Sequence, residues 1–283
     1  MINQLMKSLG NLPAFPATVV KVLDLLSNDG YSMTEVARVI SFDQSITANI
    51  LKISNSAYFG LGRPVKTVRD AVAYLGKENL VRAVQTAGIS KFYKTTAKGY
   101  VSVAADLWEH SVAVALMSQI ISKKVYGRED SVLYTAALLH DVGKIIMGAY
   151  VHESIEMINN FVDRRKCSFL EAEEAVIGIN HAEMGGKISE HWNLPEEICD
   201  AISFHHRPDI LERNSVDMQW IVHLADQLCM MMGIGNGIDG LAYRGVSDVL
   251  RKFDLREKDL EANMINLLDD LQSARNLLEI VQA

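Results

Sequence analysis

Seven side chains able to hold a metal recur along this chain in one order: His110, then His140-Asp141, then His181, then His205-His206, then Asp226. Five of the eight histidines belong to the series, and no cysteine does. Imidazole and carboxylate without thiolate suit divalent first-row metals such as iron, manganese, nickel or zinc. Three or four such ligands make one site, and six or seven make a site for two ions. Water held between two cations has a lowered pKa and becomes a nucleophile near neutral pH.

Each residue must be delivered by an element. His140 ends an apolar helix face, Ala136 to Leu139, and Asp141 follows directly, then Gly143 and Lys144. A polar pair ending a buried stripe is costly unless partnered, and a cation partners both groups. Asp226 repeats the theme inside the apolar helix IVHLADQL. His110 lies between Trp108 and Val112, and Asp106, four residues earlier, shares its helical face and is expected to orient it. His205 and His206 are neighbours, and neighbours on a helix diverge by roughly 100°. Both reach one site only if the helix ends there, which Pro208 favours. His181 precedes Ala182-Glu183-Met184-Gly185-Gly186, whose glycines predict a close helix approach. His223, three residues before Asp226, is a rival ligand, and His152 is expected at the surface. Taken singly, each histidine reads as an ordinary core or surface residue. Their order together with the His-Asp-x-Gly-Lys element is what favours a metal.

The remaining composition sets the background. Apolar content of 49% and charged content of 22% over 283 residues describe a globular protein with a core. A net charge of −7 argues against nucleic-acid binding. Cys167, Cys199 and Cys229 are far apart and odd in number, which fits a reducing compartment rather than a disulfide framework. Neither a signal-peptide core nor an apolar run approaching ~18 residues is evident, so a cytoplasmic location without membrane insertion is expected.

The 3.6-residue period dominates and no strand-like alternation is evident, so the fold class is all-α. Residues 1–95 read as an N-terminal helical subdomain of five short helices, one opened by a capping box at Ser32–Glu35 and another ending at Gly76. The small, polar stretch 95–99 is a soft boundary. Residues 96–232 hold the metal series on helices, roughly 101–125, 132–140, 151–165, 169 onward, 182–191, 196–206 and 217–232. Residues 233–283 read as a glycine-rich break and two helices packing on the body, where Leu267, Leu268 and Leu271 supply apolar spacing; they could also serve an oligomer.

His140-Asp141-Val142-Gly143-Lys144, with His110 before it and Asp226 after it, resembles the HD superfamily of metal-dependent phosphohydrolases. His181 and His205-His206 resemble its binuclear branch, which includes the HD-GYP cyclic dinucleotide phosphodiesterases. LPAFPATVVKVLDLL, FDQSITANILKISNSAYFG, TVRDAVAYLG and WNLPEEICDAISFHHRP are similar to the HDOD domain, a signalling module of bacteria. These matches cover about residues 8 to 230. The resemblance implies an HD-like multi-helix bundle in which His110, His140, Asp141 and Asp226 hold one ion. Asp141 then bridges to a second ion held by His181, His205 and His206, with iron the first choice. It also implies a phosphoester ligand or a signalling protein partner. Asp141 and Lys144 are the candidate catalytic residues, Lys144 either adding charge to a phosphate or lying solvated near a helix end. Some HD-GYP relatives place a further ligand at the position of Asp106. After His205-His206 the chain reads Arg207-Pro208-Asp209, so the glycine-tyrosine-proline element is missing and cyclic di-GMP hydrolysis is not implied. The segment Ser54–Phe59 reads either as a partner contact or as a tight packing corner.

Overall fold

The computed structural model describes residues 2–9, 16–27, 30–56, 59, 64–89, 100, 104–210, 217–234 and 246–256, with scattered positions beyond. Among these, every regular element is an α-helix. The expected boundary at 95–99, the glycines 235 and 237 and most of the C-terminal helices lie outside the described residues. Two compact units are present, residues 1–13 with 93–267, and residues 14–92 with 268–283.

The smaller unit holds α2 (Ala17–Ser27), α3 (Met33–Ser41), α4 (Gln44–Ser54) and α5 (Val68–Ile89). Ser32 caps α3 by accepting from the Glu35 amide, but the Glu35 carboxylate lies 3.9 Å from Arg38 and the predicted box is only half made. Asp43 caps α4 through the amides of Ser45 and Ile46. α5 is broken where the sequence predicts a stop: Gly76 has φ 68° and ψ 175°, a conformation that side chains disfavour. Of the Ser54–Phe59 segment, residues 57 and 58 lie outside the described residues. Asn55 donates to the Leu51 and Val65 carbonyls and accepts from the Val65 amide, while Ser54 is buried. Leu271 is buried and Leu268 is exposed, so the latter does not serve packing as expected.

The larger unit contains α6 (Ala104–Tyr126), α7 (Ser131–Leu139), α8 (Gly143–Arg165), α9 (Phe169–Ile177), α10 (His181–His191), α11 (Glu196–Phe204), α12 (Met218–Met231) and α13 (Val246–Lys252). It also takes α1 (Ile2–Leu9), a helix the sequence reading did not include, which buries Leu5 and Leu9 and packs on α8. α8 starts eight residues before the expected 151, because the elbow 140–142 turns straight into it: the Lys144 amide donates to the Asp141 carbonyl. α6 packs on α7 and α12, and α10 on α8 and α11. The stretch Ser131–Arg165 is long and apolar enough by composition to cross a membrane. It is two helices joined by that elbow, and 78% of its apolar window is buried by the protein's own packing.

Close approach is enforced by glycine. A Cβ on Gly143 would lie 1.9 Å from the His181 carbonyl oxygen, and one on Gly186 would lie 1.8 Å from Ser203 Oγ. α8 and α10 therefore meet backbone to backbone at Gly143, and the α10 backbone at Gly185-Gly186 lies directly against the Ile202 and Ser203 side chains of α11, the close approach those glycines predict. The three helix ends that carry His140-Asp141, His181 and His205-His206 converge at this point.

Candidate metal centre

All seven residues of the series come together inside the larger unit. His110 comes from α6, His140 and Asp141 from the elbow between α7 and α8, and His181 from the first residue of α10. His205 and His206 come from the turn after α11, and Asp226 from α12. α11 stops at Phe204, so the adjacent histidines are off the helix and both turn inward, their ring centroids 3.9 Å apart.

Asp141 is at the middle. Its Oδ2 lies 3.4 Å from His140 Nε2 and 3.8 Å from His110 Nε2. Its Oδ1 lies 3.5 Å from His181 Nε2 and 3.9 Å from His205 Nε2. Asp226 repeats this division: Oδ1 is 3.0 Å from His110 and 3.8 Å from His140, and Oδ2 is 3.9 Å from His206 Nδ1. Most of these separations are too long for hydrogen bonds. They approach the edge of a coordination polyhedron with bonds of about 2.1 Å, which is roughly 3.4 Å for a tetrahedron. Two groups gather their ligand atoms within 4.8 Å: His110, His140 and Asp141, and Asp141, His181, His205 and His206.

The rings are held so that Nε2 faces the centre. Nδ1 of His110 donates to the Ile234 carbonyl, that of His140 to Ala137 and that of His205 to Ile202, at 3.0, 2.7 and 2.7 Å. Only a protonated nitrogen bonds a carbonyl, so in neutral His140 and His205 the Nε2 lone pair is left for a cation, while His110 Nε2 lies within hydrogen-bond distance of Asp226 Oδ1. His181 gives Nδ1 to Glu173 Oε2 at 2.8 Å. Glu173 is completely buried, and it also accepts from the His181 amide and from the Tyr100 hydroxyl. A carboxylate–histidine pair of this kind orients a ligand and raises its basicity.

The fit to a cation rests on polar atoms that the protein leaves unsatisfied. His140 Nε2, Asp141 Oδ1, His205 Nε2 and Asp226 Oδ2 are buried without a hydrogen-bond partner. Each such atom costs about 1–3 kcal/mol unless something compensates. Divalent ions between the two aspartates would satisfy all four.

Protonation follows burial and charge. Burial opposes the charged forms of His140 and His181, but Asp141 and Asp226 on the first and Glu173 on the second outweigh it and raise both above the usual imidazole range. His205 is pushed down to about 3 by burial and by His140. Burial, with His205 and His181, also holds His206 well below its ordinary value. Burial would raise the Asp141 carboxyl, but Lys144 and His140 hold it well below the carboxylate range.

The solvated reading of Lys144 does not hold. Its Nζ is buried 2.8 Å from Asp141 Oδ2 and 5.5 Å above the Tyr100 ring. Asp106 is exposed, and the Ile234 carbonyl does the orienting of His110 that was expected of Asp106. His223 donates Nδ1 to the His205 carbonyl and so pins the turn that presents His205. His152 is exposed, as expected. A cleft of about 320 Å³ opens beside His206, with Asn180, Phe204 and Arg207 in its wall.

A family model of the HDOD domain matches residues 12–208. The chain belongs to the HDOD domain family. Among solved structures, an HDOD domain protein of unknown function from Geobacter sulfurreducens is 27% identical, with a TM-score of 0.74 over 98% of this chain and 96% of that one. A candidate signal transduction protein from Marinobacter aquaeolei VT8 is 18% identical, with a TM-score of 0.73 over 96% of this chain and 60% of that one. A candidate metal-dependent phosphohydrolase from Shewanella amazonensis SB2B is 20% identical, with a TM-score of 0.58 over 97% and 96%. A curated relative from Treponema pallidum (strain Nichols), itself uncharacterised, is 22% identical over 199 residues, which are 69% of this chain and 38% of that protein. The chain thus spans about two fifths of the length of the curated relative it matches. Every regular element among the described residues is an α-helix, in agreement with the fold class that the sequence periodicity predicts.

Proposed function

We propose that this HDOD domain is a signalling protein with a two-ion centre that hydrolyses a phosphoester. The observation that carries the reading is the division of Asp141, whose two oxygens face two different sets of histidines. His110, His140 and Asp226 would hold one ion, and His181, His205 and His206 the other, with Asp141 shared. Bound there, two divalent ions activate water and draw charge from phosphoryl oxygens. Asp141 keeps the two ligand sets in register, and Glu173 fixes the tautomer of His181. Lys144 adds positive charge beside Asp141, where phosphoryl oxygens would gather. The helices around the centre exclude bulk water, and the cleft at His206 offers an approach for the ester. The fold likeness to a candidate phosphohydrolase and to a candidate signal transduction protein agrees with both halves of this reading.

The test is metal content of protein prepared without oxygen or chelator, beside His140→Ala. About two equivalents of a transition metal, iron above manganese, nickel or zinc, are expected in the wild type and a marked loss in the variant. The loaded protein is then screened against phosphomonoesters, phosphodiesters and nucleotides, with Asp141→Asn as the inactive control. No metal in either protein after reconstitution would end the two-ion reading and leave a protein–protein signalling module.

A further inference from the structure

Four of the five clustered histidine rings give Nδ1 to a fixed oxygen. His206 is placed differently. Its Nε2 sits 2.8 Å from His181 Nε2 and its Nδ1 is turned toward Asp226. It lies in the turn beyond the end of α11, which the Arg207 amide closes by donating to the Phe204 carbonyl at 2.9 Å. The residues on either side of it are both held. On one side His205 is pinned by the Ile202 carbonyl and by His223. On the other side is Arg207.

Arg207 meets Glu174 through two parallel contacts, Nη1 to Oε1 at 3.0 Å and Nη2 to Oε2 at 3.1 Å. Glu174 Oε1 also accepts from Asn180 Nδ2 at 2.5 Å. Asn180 is the N-cap of α10, its Oδ1 accepting from the Glu183 amide, and His181 follows it directly. Glu174 thus ties the residue after His206 to the residue before His181. Its neighbour Glu173 orients the His181 ring itself. Building on the two-ion reading, we propose that Glu174 and Arg207 are positioning residues for the second ion, a clip that holds His206 against His181. The clip touches none of His110, His140 or Asp226, so the first ion does not depend on it. A forked guanidinium on a carboxylate fixes direction as well as distance, which a lysine would not reproduce.

The probe is cobalt(II) alone, titrated into metal-free full-length protein, with the visible ligand-field bands reporting coordination at each step. The wild type is expected to take up two ions in two steps. Arg207→Met and Glu174→Ala should keep the first step and weaken the second by about 10–100-fold, the range for lost outer-shell partners. Arg207→Lys should fail to restore it. If Glu174→Ala does not fold, the near-isosteric Glu174→Gln carries the comparison. A purely structural role would weaken both steps together, and that result, or two unchanged steps, overturns the proposal. A wild-type protein that takes up fewer than two ions overturns the two-ion reading itself, and the clip with it.

Discussion

Asp141 presents Oδ2 to His110, His140 and Lys144, and Oδ1 to His181 and His205. Asp141→Asn keeps the shape and removes the charge that both ligand sets and Lys144 depend on. Breaking the buried Lys144–Asp141 ion pair should cost on the order of 3 kcal/mol. The double variant Asp141→Asn/Lys144→Met should recover most of that in thermal melts while metal uptake stays lost. A double variant no more stable than the single one would show that Lys144 does not depend on Asp141. Protons are coupled to the same site. A metal takes a neutral imidazole, and His140 and His181 are raised while His205 and His206 are lowered. Metal uptake near neutral pH should therefore release protons, chiefly from His140 and His181, as read by titrations in buffers of different ionisation heat. Without metal, the unfolded chain protonates near 6.5 while folded His205 does so only at about 3, so its contribution to stability is lost as pH falls through that window. His140 and His181 contribute in the opposite sense, and their share is lost as pH rises through their raised values. Most of this site was legible because the ligands follow a motif order. Glu173 was not, since it sits in the acidic run Glu171–Glu174, which reads as a solvated face. The signal was present in register: Phe169, Glu173 and Ile177 are four apart and all buried.

At the scale of elements, the centre exists because helix ends meet, and glycine allows them to. Gly143→Ala would drive a methyl into the His181 carbonyl, which is backbone and cannot rotate away. It should cost about 1–3 kcal/mol of stability, as overpacking does, and reduce metal uptake as well, because the elbow and α10 must separate. Gly30→Ala, with nothing within 4 Å of the added carbon, is the control and should leave the melting temperature nearly unchanged. Equal melting temperatures for the two variants would contradict the close-packing account. The sequence shows helix starts well where the capping side chain is short, as at Asp43 and Thr67. It misleads where a side chain has two possible partners. Glu35 lies near Arg38 rather than completing a box, and the full reciprocal box forms at Ser168 and Glu171 instead. The early start of α8 was hidden for a related reason. Gly143 and Gly148 weaken its helical signal, and only tertiary packing, which requires glycine at 143, accounts for the first of them.

For the whole molecule, every candidate ligand from His110 to Asp226 belongs to the larger compact unit, and none to residues 14–92. A cation that binds only the folded form stabilises it by mass action, about 2.7 kcal/mol at a hundredfold excess over Kd. That free energy enters through α6, α7, α10, α11 and α12, whose side chains and ends supply the site. Stripping the metal with a chelator should therefore lower amide-exchange protection in those helices and leave α2, α3, α4 and α5 as they were. The measurement is hydrogen exchange by mass spectrometry on loaded and stripped protein at one pH. His140→Ala should reproduce the stripped pattern with metal present, because its loss removes a ligand without touching the smaller unit. Equal loss of protection in both units would mean that they unfold as one, and the division at residue 93 would then have no energetic meaning. Unchanged protection in the larger unit would mean that nothing held there was removed, and the unsatisfied atoms of His140, Asp141, His205 and Asp226 would need another partner.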